Sequence, residues 1–412
     1  MEILPNRTFI RVGLIYLLGV IAAMVVSEAV PELGAMGVSF HPHNPALIGL
    51  IMSLPSLVVV VGALAVGYLV DKIGDRPVLI AGAIIIICAD IGVITAPSLQ
   101  LLLLARFVGG IGYVFAAIAA VVMLMRITIG RQRVWALALW STFVPVSFIL
   151  PFLTAHLAEH LGSWRGAFAG HAGLTVLLLL IGLLFFPRRN EGMAVASRTV
   201  GLMQVLRTPS VYLLGLSFGG DAFLQSGIIA SFGPFLARHY GANVMMVNGW
   251  NVGAMVTNTI GCLLVGRLLN WKISARTIGF CAIIITAIPA YLIFIFPIGI
   301  NASIALCWIF TFGSGLLVGM WALLPVVAPS SQSMGASSGL VTQITLLGVL
   351  LGAPLCFAAQ AADSSCPMLI VLTIGLLFCL AAAPVWIQAS NAESTYTGPA
   401  TVSSSKEGMI HH

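Results

Sequence analysis

Charged side chains are scarce in this sequence. Its 412 residues include 18 Lys and Arg and 12 Asp and Glu, so the charged types make up only 7% of the chain. Soluble globular proteins contain about 25% charged residues. Hydrophobic residues make up 60% here and the mean hydropathy is +1.10, so the chain cannot cover itself with water-facing groups. This shortage excludes a water-soluble enzyme, a nucleic-acid-binding protein and a disordered scaffold, and it predicts a protein that crosses a membrane many times.

Metal-binding and redox motifs are also missing. The seven cysteines form neither a CxxC pair nor the Cys/His spacing of a zinc site, and most of them fall inside apolar runs. We therefore expect small buried thiols among packed helices. The sequence contains no HExxH motif, and no Ser/His pair stands out as a catalytic arrangement. We predict that the protein is not an enzyme and uses neither a metal ion nor a cofactor.

Long apolar runs fill most of the chain. The hydrocarbon core of a bilayer is about 30 Å thick, so each helix that crosses it needs about 20 mostly apolar residues. For the first run, a cleaved signal peptide is an alternative because Arg7 and Arg11 precede it, although no A-x-A cleavage site follows. The predicted membrane-spanning helices are 12–30, 45–70, 78–96, 101–124, 134–155, 166–186, 211–237, 244–269, 278–298, 304–327, 334–362 and 368–387.

A polar stretch divides these runs into six and six. This division predicts a first half at 1–187, a cytoplasmic linker at 188–208 and a second half at 209–388. The remaining residues, 389–412, are rich in Ser, Thr and Gly and are expected to form a disordered cytoplasmic tail.

The placement of basic residues predicts the orientation. Of the 18 Lys and Arg residues, all but Arg106, Arg165 and Arg238 fall in segments that share one side of the membrane in this topology. Because cytoplasmic loops carry an excess of Lys and Arg, both termini are expected to be cytoplasmic. The same placement explains the net charge of +6 without a nucleic-acid partner.

The loop between the second and third predicted spans carries a recognisable motif. It reads GYLVDKIGDRP and contains Gly67, Asp71, Lys72, Gly74 and Arg76. This pattern resembles the signature of the major facilitator superfamily. The two glycines permit close approach and a sharp turn, and the carboxylate can lie against a helix N-terminus. The resemblance implies that this loop, the gating motif, locks the cytoplasmic side in the outward-facing state.

A degenerate copy of the motif occurs between the eighth and ninth spans. It contains Gly266, Lys272 and Arg276, with Asn270 at the position that corresponds to Asp71. The copy indicates an internal repeat, and its missing carboxylate suggests a smaller part in gating. The resemblance implies an all-α integral membrane protein of about 12 transmembrane helices in two pseudo-symmetric six-helix bundles.

Arg106 lies inside the fourth predicted span, followed by Gly110 and Gly112. The group resembles the second signature of the same family. An arginine in a membrane-spanning helix is costly unless it is solvated or paired, so we expect it to face a polar cavity. In proton-coupled relatives this arginine is tied to coupling and to a nearby carboxylate. A structural arginine bonded to backbone carbonyls is the alternative.

Asp221, near the middle of the seventh span, is farthest from both predicted interfaces, and Gln225 follows one turn later. Burial disfavours the charged form of a carboxylate, so such a group is able to take up and release a proton. The alternative is a structural role, as a partner of Arg106 or of a helix end.

Three further ionisable residues lie in predicted spans: Glu28 in the first, Asp90 in the third and His171 in the sixth. Each is a candidate for proton coupling because burying it in lipid is expensive. The carboxylates have an alternative, which is to reach the outer interface, and the histidine has one in hydrogen-bonded packing.

Other polar and aromatic residues are candidates for the lining of a central cavity. In the family that the motifs resemble, the first, fourth, seventh and tenth helices face the substrate path, which favours Tyr113 and Trp321. The remaining candidates are Asn251 and Gln343.

The hypothesis that follows is a secondary transporter for a small organic solute, working by alternating access in a bacterial inner membrane or equivalent plasma membrane. Proton symport is expected, with Asp221 or Glu28 carrying the proton and Arg106 attracting an anionic group. One alternative is drug/proton efflux, although the fifth span lacks the glycine-proline signature of those antiporters. An uncoupled facilitator is the other.

Glycines four residues apart, such as Gly335 with Gly339 and Gly348 with Gly352, permit close helix contact. We expect these contacts within one chain. The expected partners are therefore the solute, H+ and the lipid bilayer, with the protein a monomer.

Overall fold

The computed structural model describes residues 6–29, 32–41, 46–160, 163–187, 201–242, 244–296, 298–360 and 365–396. These residues form α-helices and short 3-10 turns, and no strand occurs among them. The helices are α1 (Asn6–Ser27), α2 (Leu33–Phe40), α3 (Ala46–Ile73), α4 (Asp75–Thr95), α5 (Leu99–Ile127), α6 (Gly130–Trp140), α7 (Phe143–His160), α8 (Arg165–Phe185), α9 (Gly201–Leu206), α10 (Pro209–Tyr240), α11 (Val244–Asn270), α12 (Ala275–Ile295), α13 (Ile300–Gly319), α14 (Leu324–Val327), α15 (Met334–Gln360), α16 (Cys366–Cys379) and α17 (Ala383–Tyr396).

Twelve helical segments of the described residues are long and apolar enough to cross a bilayer, which confirms the predicted number. Three of these spans are broken, and the twelfth changes from α16 to α17 through a 3-10 turn, Leu380–Ala382. The fifth changes from α6 to α7 at Ser141 and Thr142, whose hydroxyls donate to carbonyls of the preceding turn. The tenth passes through a 3-10 turn, Met320–Leu323, before α14 begins at Leu324. Pro325 lies in the first turn of α14 and cannot donate a backbone hydrogen bond to the preceding turn.

The helices pack in two groups. Within the first six spans, α5 contacts α1, α3 and α4, and α8 contacts α4. Within the last six, α10 contacts α15 and α16, and α13 contacts α11 and α12. Contacts between the groups are made by α3 and α5 with α15, and by α6 and α7 with α11.

Close glycine contacts make this packing possible. A Cβ atom at Gly335 would overlap the carbonyl oxygen of Gly67, and one at Gly348 would overlap that of Gly219. Both contacts join helices of the same chain, as expected from the four-residue spacing. The backbones therefore approach as closely as only glycine allows.

One end of the helix bundle carries the gating motif and many basic side chains, and we call it the basic end. Lys72, Arg131, Arg207, Arg267 and Arg276 are all exposed there. Side-chain contacts join the ends of neighbouring helices here. Arg126 of α5, for example, holds both carboxylate oxygens of Asp75 at the start of α4, at 2.7 and 3.0 Å.

Two predicted boundaries need correction or fall outside the described residues. The last helix continues to Tyr396, past residue 388 where the tail was expected to begin. The predicted linker contains one short helix, α9, and residues 188–200 and 397–412 lie outside the described part of the chain.

Candidate functional site

The gating motif joins the two groups of helices at the basic end. Asp71, in the last turn of α3, accepts hydrogen bonds from the backbone N–H groups of Gly335 and Ala336, each at 2.8 Å. These N–H groups belong to the first turn of α15, where they have no partner inside the helix. The macrodipole of α15 also attracts the carboxylate. The neighbouring Gly74 has a φ of 99°, which supplies the sharp turn that the motif predicted.

The ion pair of this loop uses a carboxylate next to the gating motif. Asp75 pairs with Arg126 at 2.7 Å. Lys72 is exposed and Arg76 is half-buried. The pair links α4 to α5, so it stabilises the loop within the first six spans.

The degenerate copy makes a different contact. Arg131 of α6 donates to the backbone carbonyl of Asn270 at 2.6 Å. The side-chain nitrogen of Asn270 is buried and has no hydrogen-bond partner among the described residues. The second copy thus contributes a main-chain acceptor where the first copy contributes a carboxylate.

Among the described residues, Arg106 in α5 is the largest charged side chain that is fully buried, at 1% exposed. Its Nη1 donates to Glu28 Oε1 at 2.6 Å, its Nε donates to the carbonyl of Ile51 at 2.9 Å, and its Nη2 donates to the carbonyl of Val25. The expectation that it faces a polar cavity is wrong in this conformation. Each of its three nitrogens already donates to a protein acceptor, so a role in attracting an anionic group is not visible here.

His171 of α8 occupies the other side of Glu28. Its Nδ1 lies 2.8 Å from Asp90 Oδ2 and also 2.8 Å from Glu28 Oε2. Its Nε2 lies 2.9 Å from the carbonyl oxygen of Ile21. The side chains of His171, Asp90 and Glu28 are all almost completely buried, so neither carboxylate reaches toward the membrane interface.

Glu28, Asp90, Arg106 and His171 therefore form one buried group, which we call the charge cluster. Three members of the cluster lie inside helices, whereas Glu28 directly follows the last residue of α1. All four lie toward the helix ends opposite the basic end. Unpaired charges would cost several kcal/mol each in such surroundings, so their mutual pairing is what makes their burial tolerable.

Asp221 lies apart from the charge cluster, in the second group of helices. Its Oδ2 accepts a hydrogen bond from Ser314 at 2.9 Å, and its Oδ1 has no partner among the described residues. The side chain is fully buried. Arg106 pairs with Glu28, so the alternative that Asp221 is the partner of Arg106 is wrong.

The other candidates do not join the charge cluster. Tyr113 is buried, and Trp321 is buried with its ring stacked on Phe218 at a centroid distance of 5.3 Å. Gln225, Asn251 and Gln343 are half-buried. Of the ten candidates that the sequence offers for substrate or proton coupling, the structure brings four into contact: Glu28, Asp90, Arg106 and His171. Asp90 and His171, which complete the cluster, carry the same sequence signal, an ionisable side chain inside a span.

The comparison with known families is decisive. A family model described as Major Facilitator Superfamily matches residues 12–353 of this chain. The chain belongs to the Major Facilitator Superfamily. It is therefore a multi-pass membrane transporter and not an enzyme, as predicted from its sequence.

Among curated relatives, the arabinose-proton symporter of Escherichia coli strain K12 is 31% identical over 147 residues, which is 36% of this chain and 31% of that protein. The galactose-proton symporter of the same strain is 27% identical over 146 residues, 35% and 31% of the two chains. The multidrug resistance protein MdtM of Salmonella typhimurium is 31% identical over 154 residues, 36% and 37%. The match to the first two thus spans about a third of their length.

Two solved structures share the fold over almost the whole chain. The proton:xylose symporter XylE superposes with a TM-score of 0.76 at 13% identity, covering 95% of this chain and 99% of its own. The human organic anion transporter MFSD10 superposes with a TM-score of 0.74 at 15% identity, covering 92% and 100%. At these identities the likeness confirms the fold of 12 helices and carries no statement about cargo.

Proposed function

We propose that this transporter is a proton symporter for a small, largely uncharged organic solute. The observation that carries the proposal is the charge cluster, in which two carboxylates, one guanidinium and one imidazole share a single buried site. Two carboxylates balance one arginine only when one further proton is present. The net charge of the site is −1 without this proton and zero with it. Such a site is suited to take up and release a proton.

The gating contacts suggest which conformation the structure represents. Asp71 closes the basic end by bonding α3 to the first turn of α15, and Arg131 closes it by bonding α6 to α11. The positive-inside rule makes this end cytoplasmic, with both termini on that side of a bacterial inner membrane. The charge cluster lies on the other side of these contacts. We therefore assign this structure to the outward-facing conformation, from which rocking of the two groups of helices exposes the solute to the cytoplasm.

The class of cargo is argued from charge and from relatives. Each of the three guanidinium nitrogens of Arg106 donates to an acceptor within the protein, and its charge is paired with Glu28, so it is not free for an anionic cargo. Two of the matched relatives are named as sugar-proton symporters. A small hydroxylated solute of sugar size is the cargo class that fits both observations.

The test is solute uptake by the purified protein in proteoliposomes, with and without an imposed pH gradient that is acidic outside. A panel of pentoses, hexoses and polyols supplies the solutes. We expect accumulation above the outside concentration only with the gradient. Uptake that stops at equal concentrations in both conditions would identify an uncoupled facilitator and reject the proposal.

A variant separates coupling from binding. Glu28→Gln keeps the size of the side chain but removes its charge, so it should abolish gradient-driven accumulation. Exchange of labelled for unlabelled solute across the membrane needs no net proton movement and should persist. The matched control is Glu32→Gln, which removes a carboxylate at the half-buried position just before α2, outside the cluster. If that control also loses accumulation, the effect of a charge change is not specific to the cluster.

Efflux of drugs with proton exchange is the second candidate, because MdtM is among the matched relatives. In that case Glu28 would contact a cationic compound. Expression in a drug-sensitive host should then raise resistance, and Glu28→Gln should remove it. Unchanged sensitivity to lipophilic cations would reject this candidate.

A further inference from the structure

We infer that the coupling proton is held at one point, between His171 Nδ1, Glu28 Oε2 and Asp90 Oδ2, and that it moves between His171 and Glu28 during transport. The inference rests on the proposed proton symport, and it assigns the proton to a histidine that the family motifs do not include. Arg106 does not hold this proton; it pairs with the opposite oxygen of Glu28.

The first step is the protonation of the imidazole. His171 Nε2 lies 2.9 Å from the carbonyl oxygen of Ile21, which can only accept a hydrogen bond, so Nε2 carries a hydrogen. A neutral ring with its hydrogen at Nε2 has a lone pair at Nδ1. That lone pair would face two carboxylate oxygens at 2.8 Å each. Three electron-rich atoms cannot meet at this distance without a proton between them, so one proton lies in this triangle.

The second step concerns how many protons the site holds. Glu28 Oε1 already accepts from Arg106 Nη1 at 2.6 Å, which fixes that oxygen as an acceptor. One proton in the triangle makes the charge cluster neutral: two carboxylates, one guanidinium and one imidazolium. These four groups, from α1, α4, α5 and α8, are the ionisable side chains for which contacts within the cluster are seen. The cluster thus has a net charge of zero with this proton and of −1 without it.

The third step distinguishes a proton from a metal ion. One oxygen or nitrogen from each of Glu28, Asp90 and His171 lies within 4.8 Å of the other two. Ligands of a tetrahedral ion with bonds of 2.0–2.1 Å lie about 3.3 Å apart. The imidazole nitrogen is only 2.8 Å from each carboxylate, which is the length of a charge-assisted hydrogen bond.

The fourth step is a route for the proton. His171 Nδ1 donates to Asp90 Oδ2, whereas Glu28 Oε2 is equally close to Nδ1 but receives no hydrogen bond from any described residue. It is an open acceptor. Transfer breaks the bond between Nδ1 and hydrogen, leaves the electron pair on the nitrogen, and forms an O–H bond at Oε2. Glu28 is then neutral, so the attraction that holds it to Arg106 is lost.

This transfer links the proton to movement. Asp90, Arg106 and His171 lie within helices, whereas Glu28 lies in the turn after α1 and is attached to α1 by the hydrogen bond from its N–H to Met24. A neutral Glu28 that leaves Arg106 therefore allows this end of α1 to shift. We expect the shift to open the cluster to the side on which the proton is released.

The direct test is the protonation state of His171 in the unmodified protein. Nitrogen-15 NMR of the detergent-solubilised transporter, labelled at histidine, should show one imidazolium that persists at neutral pH. Assignment uses His171→Gln, which should remove this signal and no other. A His171 ring with a bare Nδ1 at neutral pH would overturn the inference, even if transport proves to be proton-coupled.

The functional test uses His171→Gln and Asp90→Asn in proteoliposomes. His171→Gln should lose gradient-driven accumulation and keep solute exchange, because it removes the proton carrier but not the solute site. Asp90→Asn should keep coupling with a shifted pH profile, since the imidazolium loses one of two carboxylate partners. The control is His239→Gln, at the exposed end of α10, which should behave as the unmodified protein does.

The outcomes separate the two proposals. Accumulation that survives in His171→Gln with an unchanged pH profile rejects the assignment of the proton to His171 and leaves symport standing. Unmodified protein that shows the imidazolium but ignores the pH gradient rejects symport and leaves the proton site standing. If His171→Gln fails to fold, a protein that keeps His171 and has its seven other histidines replaced supplies the assignment, and its NMR spectrum at several pH values decides the question.

Discussion

Glu28 Oε1 and Arg106 Nη1 form an ion pair 2.6 Å long between side chains that are 2% and 1% exposed. The two residues come from different helices, and Glu28 also contacts His171 through its other oxygen. A buried pair of this kind adds little net stability compared with apolar residues, but breaking it is costly because one charge remains unpaired. The pair is therefore suited to a site whose charge must change during a cycle.

The first prediction concerns the stability of this pair. Arg106→Leu leaves Glu28 buried without its cation and should lower the free energy of unfolding by about 3–5 kcal/mol. Thermal unfolding in detergent measures the change. The double variant Glu28→Gln with Arg106→Leu removes both charges and should recover part of the loss. Arg207→Leu, at an exposed position of the basic end, is the control and should have little effect. Equal melting temperatures for Arg106→Leu and Arg207→Leu would contradict the prediction.

The second prediction concerns Asp71. Asp71→Asn removes the charge that accepts from Gly335 and Ala336, and hydrogen bonds to charged groups contribute about 1.5–3 kcal/mol each. The closed basic end should become less populated. A disulfide between cysteines introduced at the exposed positions Lys72 and Gln332 should then form more slowly, in a background lacking the exposed Cys88, Cys281 and Cys366.

Asp75→Asn is the control for the second prediction. It disturbs the ion pair with Arg126, which connects helices of the same six spans. Cross-linking between the two groups of helices should therefore be unaffected. An identical slowing in both variants would mean that Asp71 acts through general stability and not through the closed end.

The third prediction concerns glycine packing between α10 and α15. Gly348→Ala places a methyl group against the carbonyl oxygen of Gly219 and should cost about 1–3 kcal/mol through overpacking. Thermal unfolding again reports the loss. Gly173→Ala on α8 is the matched control, because nothing lies within 4 Å of the position of its Cβ. A Gly348→Ala protein as stable as Gly173→Ala would show that these helices separate easily.

The fourth prediction distinguishes the two carboxylates that the sequence offered for coupling. Asp221 has a single hydrogen bond from Ser314 and shares no contact with the charge cluster. Asp221→Asn preserves the acceptor for Ser314 and should keep gradient-driven accumulation, whereas Glu28→Gln should lose it. Proteoliposome uptake measures both. Loss of accumulation in Asp221→Asn with retained solute exchange would move the coupling site to α10.

Much of the fold follows from the sequence because the bilayer imposes simple rules. A span needs about 20 apolar residues, and this requirement identified all 12 spans. The breaks in the fifth and tenth spans were not predicted. A run of apolar residues looks the same to a hydropathy count whether the helix is continuous or is interrupted by hydroxyl side chains, as at Ser141, or by Pro325.

The candidate site was predicted in part. Glu28, Asp90, Arg106 and His171 were noticeable because ionisable residues in a membrane are expensive. Their arrangement could not be predicted, since Arg106 is 78 positions from Glu28 and His171 is 81 positions from Asp90 in the sequence. Tyr113 and Trp321 carried a weaker signal, because aromatic residues pack in a core as readily as they line a path.

The sequence by itself determined that this protein is a membrane protein, how many times it crosses the bilayer, and which side chains need partners there. Each of these follows from the cost of removing polar groups from water. The tertiary structure alone decided that Glu28 takes Arg106 and His171 as its partners while Asp221 takes Ser314. That choice depends on which helices lie side by side, and local composition carries no information about distances across a bundle.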